Sequence, residues 1–187
     1  MSTPREPKGT PMTTTQVSVP TPNEMRAAMG CFASGVTIVT ALDEEGPVGF
    51  ACQSFASVSL DPPLVLFCAD HRGRAWPRIR EAGRFTVNVL SEQQDELCMR
   101  FGSSRGAKFE DLDWTESAWG TPVLPNGLMR VHTEVYAVQE AGDHDVVIGR
   151  VLELDVLDHD RPMVFYRGAF GLPEQTSPSW SWEDIWG

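Results

Sequence analysis

No stretch of this chain approaches the roughly 18 consecutive apolar residues of a membrane-spanning helix, and the N-terminus lacks the charged-then-apolar order of a secretory signal. Both absences lead to the expectation of a cytoplasmic protein with no membrane partner. Cysteine is scarce: Cys31, Cys52, Cys68 and Cys98 form no CxxC pair and join no His/Cys cluster. Neither a disulfide framework nor a zinc site is therefore expected, and the four read as buried free thiols. His71, His132 and His159 share no spacing that suggests metal ligation. Positive charge is also in deficit, with 15 Lys and Arg against 26 Asp and Glu and a net charge of -11. Phosphate backbones are held by an excess of basic residues, so nucleic acid is set aside as a partner. No GxGxxG follows a strand and no GxxxxGK[ST] occurs, which leaves the Rossmann and P-loop routes to a nucleotide unsupported.

The 187 residues are 41% hydrophobic, enough for one good core and few for two. Residues 1–20 are rich in Thr, Pro and Ser and are expected to be disordered. A single domain is expected over 21–172, followed by a tail at 173–187 whose stretch Pro178–Gly187 holds three of the six tryptophans. Thr21-Pro22-Asn23-Glu24 predicts a helix start with a capping box, and Met25, Ala28, Met29 and Phe32 fall on one face. Val36–Leu42 is a β-branched strand that turns at Asp43–Pro47 into a second strand. A loop from Ala69 opens onto a short helix ending at Gly83. Phe85, Val87 and Val89 mark another strand, Ser91–Gln94 resembles a second capping box, and Leu97, Cys98 and Phe101 share a helical face. The connection from Gly102 to Asn126 is long enough to suggest a functional loop. Strands near 131–139, 146–157 and 163–166 complete a mainly β barrel with a few helices.

The chain is organised around Gly49–Cys68. Its alternation would put Val48, Phe50, Cys52, Ala56 and Val58 on one face of a strand, and Gly49, Ala51, Gln53, Ser57 and Ser59 on the other. That second face is small and polar. It fits either an edge strand with small residues or a surface whose backbone is open to a flat ligand. Asp61-Pro62-Pro63 ends the strand, and Leu64–Cys68 reads as a buried one. Basic residues cluster despite the overall charge: Arg72, Arg74, Arg78, Arg80 and Arg84, then Arg100, Arg105 and Lys108. Such a cluster can hold an anionic cofactor against a repulsive background, or can be a solvated helix face.

The sequence Gly49-Phe-Ala-Cys-Gln-Ser-Phe55 resembles the flavin-binding signature of the flavin reductase-like family, the reductase components of two-component flavin-dependent monooxygenases, in an actinobacterial variant. The resemblance runs from about Met25 to Gly171. It implies an FMN-binding split barrel of Greek-key type, a homodimer, and an NAD(P)H-dependent reductase that hands reduced FMN or FAD to a separate monooxygenase. Ala51, Cys52, Gln53 and Ser54 would then lie along the flavin ring and ribityl chain, with Ser57, Val58 and Ser59 giving hydrogen bonds. Arg74 and Trp76 match the family's Ser-Arg-x-Trp, with Gly73 in the serine position offering a backbone N–H to phosphate. Ala107-Lys108-Phe109 matches Asp-Lys-Phe; Lys108 reaches the phosphate or dinucleotide, or is a surface lysine. Gly142-Asp-His144 matches Gly-Asp-His, making His144 either a nicotinamide-positioning residue paired with Asp143 or Asp145, or a turn histidine. Tyr166-Arg167-Gly168 resembles the closing Tyr-Arg-Gly of the cofactor pocket or dimer seam. Rival readings are a non-catalytic flavin- or haem-binding protein and a self-sufficient flavoprotein oxidase. The Trp-rich tail would dock on its own dimer or on the oxygenase.

Overall fold

A computed structural model describes residues 18–103, 106–157 and 161–171. The Trp-rich tail, and all but the last residues of the N-terminal tail, lie outside the described residues. In chain order the elements are α1 (Pro22–Met29), β1 (Ser34–Gly35), β2 (Thr37–Asp43), β3 (Gly46–Cys52), β4 (Ala56–Leu60), β5 (Pro63–Asp70), α2 (Ala75–Ala82), β6 (Arg84–Val89), α3 (Asp95–Gly102), β7 (Thr115–Glu116), β8 (Pro122–Val123), β9 (Met129–Ala141), β10 (His144–Val156), β11 (Val164–Tyr166) and β12 (Ala169–Phe170).

Local chemistry sets several of these boundaries. The Thr21 side chain accepts from Glu24 N–H while Glu24 reaches back to the Thr21 N–H at 2.8 Å, the expected capping box with Pro22 opening the helix. The β2–β3 hairpin closes where the Asp43 carboxylate accepts the Glu45 N–H at 2.9 Å and Gly46 takes a φ of 106°. Gly83 ends α2 in the left-handed region, as its position after the helix led one to expect. The second capping box forms by half: Gln94 Oε1 accepts the Ser91 N–H at 3.0 Å, but the Ser91 hydroxyl donates to the Asn126 carbonyl, and α3 begins only at Asp95 with Gln94 at its N-cap.

Seven strands form one antiparallel sheet in the order β3-β2-β6-β9-β10-β5-β4. Strands β3 and β4 are therefore its two edges, yet only residues 53–55 separate them. Four Cα steps from Cys52 to Ala56 reach at most ~14 Å, so the sheet must curl until its edges meet. Ser54 marks the seam, its hydroxyl accepting the Cys68 N–H at 2.8 Å. This corrects the single strand expected across Gly49–Ser59: the barrel closes at Gln53–Phe55, and Ala56 and Val58 are exposed on β4 rather than aligned with the buried Val48 and Cys52.

Val39, Val65, Phe67, Phe85, Val87, Val131 and Val147 form the main core, into which α2 inserts Trp76 and Ile79. Phe67 meets Trp76 and Phe85 edge-on at 5.8 and 5.2 Å. The opposite face of β2 and β6 is buried too, because α3 and the 106–128 segment lie over it with Phe101, Leu124 and Met163. Gly49 is small for this reason. A Cβ there would stand 2.8 Å from the Val39 carbonyl and 3.0 Å from Phe101 Cε1. The β2 backbone and the Phe101 ring of α3 together leave no room for a side chain at that position. Helix α1 behaves differently from the core helices: it buries no residue, Met25 and Met29 of its apolar face are exposed, and Phe32, expected on that face, lies past the helix end and is exposed too.

Candidate functional site

An open cleft of about 1050 Å³ lies between β3, the loop entering α2, and the segment leaving α3. The volume suits a drug-sized or cofactor-sized ligand. Gly49, Phe50 and Ala51 line it from β3, Trp76 from α2, and Phe101 and Phe109 from the third wall. Four basic residues, Arg72, Arg74, Arg78 and Lys108, line the same cleft. Arg72 is held by Asp70 at 2.7 Å, and Arg78 by Asp43 at 2.6 Å and the Gly46 carbonyl at 2.9 Å. The Lys108 ammonium caps the end of α3, donating to the Arg100 carbonyl at 2.5 Å and to the Ser103 carbonyl. Burial pushes the Lys108 pKa below its ordinary value, and the positive charges of Arg74 and Arg100 push it the same way. An anion among these three cations would relieve their repulsion. Helix α2 adds to the attraction, since its N-terminus carries no side-chain cap. A planar, phosphate-bearing cofactor therefore fits: small residues and aromatic rings flank it, and a group of positive charges lines the same cleft.

Of the residues singled out in the sequence, Ala51, Gly73, Arg74 and Lys108 converge on this cleft. The Gly73 N–H, expected to meet phosphate, is instead used within the loop, donating to the Asp70 carbonyl at 2.9 Å. Cys52 is buried with its sulfur 3.3 Å from the Ser54 hydroxyl, and burial pushes its thiol pKa up. Gln53 is exposed beside Ser54 at the seam. Ser57, Val58 and Ser59 sit on edge strand β4, where the register against β5 shifts between Ser57 and Ser59. Tyr166 belongs to the small β1-β11-β12 sheet, with the Arg167 guanidinium over its ring at 5.3 Å. His144 opens β10 opposite Asp70, half-exposed, its Nδ1 2.7 Å from the Asp143 carboxylate. The chain thus gathers one group of the predicted residues in the cleft, a second along the seam and β4, and leaves Tyr166 and His144 outside the cleft lining.

Asp145, considered in the sequence only as a partner of His144, organises this end of the barrel. Asp145 does not pair with His144. Its Oδ2 accepts the Trp76 indole N–H at 2.8 Å, its Oδ1 stands 3.0 Å from His71 Nε2, and Arg80 lies 3.7 Å away. A signal was present: Asp145 is in phase with Val147 and Gly149 on the buried side of β10, and a carboxylate there must find donors. The Trp76 hydrogen bond, then His71, hold the Asp145 pKa below its ordinary value of 3.8. A carboxyl lowered on folding adds stability that is complete above its unfolded pKa and is lost as pH falls through the folded one. Melting curves should therefore show Asp145→Asn losing less of its Tm than the parent protein as pH drops below 3.8. Parallel losses would remove Asp145 from the acid response.

Comparison with known proteins accords with this geometry. The model of the "Flavin reductase like domain" matches residues 29–172. The chain is 47% identical over 165 residues to the flavin-dependent monooxygenase reductase subunit HsaB of Rhodococcus jostii, covering 87% of this chain and 84% of that one. It is 46% identical to the FMN reductase (NADH) SmoA of Agrobacterium fabrum, over 78% of this chain and 83% of the relative. Among solved structures, a homolog of nitrilotriacetate monooxygenase component B from Mycobacterium thermoresistibile superposes with a TM-score of 0.79 at 42% identity, covering 88% of this chain and 94% of that one.

Proposed function

The chain belongs to the flavin reductase-like family, and from that premise we propose that it takes a hydride from NAD(P)H, passes it to FMN or FAD, and supplies the reduced flavin to a separate monooxygenase. The flavin, when bound, supplies the hydride-accepting ring. The protein's part is to hold and orient it. Arg74 and Lys108, with the open N-terminus of α2, hold the phosphate, and the Gly49–Ala51 edge with Trp76 flanks the ring system. His144, fixed through Nδ1 by Asp143, borders the nicotinamide. Ser54, Ser57 and Ser59, with the backbone around Cys52, Gln53 and Val58, offer further hydrogen bonds along the seam, and Tyr166, outside the cleft lining, would act from the small sheet at the dimer seam.

One observation carries the reading: in a chain of net charge -11, Arg74 and Lys108 are brought together on a cleft floored by small residues. NADH oxidation measured against added free flavin tests it. Turnover that rises and saturates with flavin is expected, and no flavin-dependent turnover would remove the proposal. His144→Ala should raise the KM for the nicotinamide severalfold more than the KM for flavin, because the ring positions only the former. Equal KM values for both dinucleotides before and after the change would return His144 to a turn role.

The same reading includes a homodimer. Leu64, Leu66 and Cys68 on β5, with Val146 and Ile148 beside them on β10, stay only half-buried, and Met25 and Met29 of α1, with Phe32 just after it, are exposed. A second copy of the chain would cover these apolar side chains.

A further inference from the structure

We propose that Asp145 is a positioning residue for the cleft: its carboxylate latches the 70–74 loop and the start of α2 to β10, and so sets where Arg74 stands against a bound phosphate. The inference rests on the flavin reading above. Asp145 itself does not line the cleft. Both groups that satisfy it belong to segments that do: His71 lies within the loop carrying Asp70, Arg72, Gly73 and Arg74, and Trp76 stands two residues after Arg74.

The two carboxylate oxygens divide the task. Oδ1 takes His71 at 3.0 Å, and Oδ2 takes the Trp76 indole at 2.8 Å, with Arg80 further out at 3.7 Å. The Trp76 ring is 4% exposed and wedged edge-on against Phe67. It cannot move without carrying Arg74 and Ala75 along. Within the loop Arg72 pairs with Asp70 and the Gly73 N–H donates to the Asp70 carbonyl, while the His71 N–H donates to the Asp143 carbonyl at 3.1 Å and so adds a second tie to the β10 turn. Burying a carboxylate between Val147 and the loop costs desolvation that an apolar residue would avoid. What the acid supplies in return is directional, two hydrogen bonds that fix both segments flanking Arg74. A displacement of about 1 Å at a binding group is enough to cost on the order of a hundredfold in function.

The test is equilibrium binding of FMN and riboflavin, read from flavin fluorescence, for the parent protein and for Asp145→Ala, Asp145→Asn, His71→Ala and Gly149→Ala. Gly149→Ala serves as a destabilised control away from the cleft, because its Cβ would meet Phe85 Cζ at 2.7 Å. Asp145→Ala should raise the Kd for FMN about tenfold or more while riboflavin, which has no phosphate, changes little. Asp145→Asn keeps an acceptor for the indole and a donor for neutral His71, and should restore most of the FMN affinity. His71→Ala, a half-exposed change that leaves the core intact, should fall between them, so the test survives if Asp145→Ala fails to fold. Gly149→Ala should lower Tm and leave both Kd values in place. FMN binding unchanged in Asp145→Ala or His71→Ala, equal losses for FMN and riboflavin, or the same shift in Gly149→Ala would each overturn the proposal. A parent protein that binds neither flavin removes the flavin reading and this inference with it; a parent that binds FMN beside variants that bind it equally removes the inference alone.

Discussion

Arg74→Ala should weaken FMN binding by about ten- to a hundredfold, roughly 1.5–3 kcal/mol, the contribution of a charge-assisted contact to a dianion. Arg74 reaches the cleft from the residue before α2, and its charge is felt at Lys108, whose own ammonium is fixed on the carbonyls at the end of α3. The two positive charges come from separate segments, close enough for Arg74 to lower the Lys108 pKa. A phosphate placed between them gains attraction to both, so removing one cation costs FMN heavily. Riboflavin has the same ring and no phosphate, and its affinity should hardly change. Titration of both ligands into parent and variant checks this, and equal losses would show that Arg74 shapes the cleft instead of binding the anion.

The largest expected loss of stability is in Phe101→Ala. Phe101 is 2% exposed, packs in the second core with Ile38, Leu90 and Met163, and meets Phe109 edge-on at 5.1 Å. Truncating a buried phenylalanine costs about 3–5 kcal/mol through lost transfer energy and the cavity left behind, a large part of the ~5–15 kcal/mol that holds an ordinary domain. The same ring covers Gly49 and lines the cleft next to Phe109. Flavin and riboflavin affinity should therefore fall together, unlike the Arg74 result. Urea unfolding at constant slope gives the stability change, and Phe101→Leu should recover most of it. A loss below about 1 kcal/mol in Phe101→Ala would mean that α3 is not anchored through this ring.

What could be read from the sequence was what lies close along it. Thr21 and Glu24 are three residues apart, Asp43 and Gly46 close a hairpin, and Gly83 follows its own helix; each is decided by backbone sterics and a local hydrogen bond. The arginine cluster was visible for the same reason, and its segment does supply the basic side of the cleft. Contacts across long separations were not legible. Gly49 answers to Phe101, some fifty residues on, and a small residue for a helix looks the same in sequence as one for a flat ligand. At the turn Ser54 and Phe55 swap the polar and apolar faces, a break of only two residues that is lost between two stretches of matching alternation, so a barrel seam read as an uninterrupted strand. Asp145 was taken as a neighbour of His144, whereas strand alternation sends it through the sheet to His71 and Trp76.

A reductase that serves a separate monooxygenase must reduce a flavin and then release it. The most direct measurement is anaerobic: protein, excess NADH and FMN or FAD are mixed until the flavin absorbance bleaches, then passed through a membrane that retains the protein, and the filtrate is reoxidised in air. Flavin recovered in the filtrate in its reduced form, many equivalents per chain, is the predicted result. Flavin that stays with the retained protein, or that never bleaches, would contradict it.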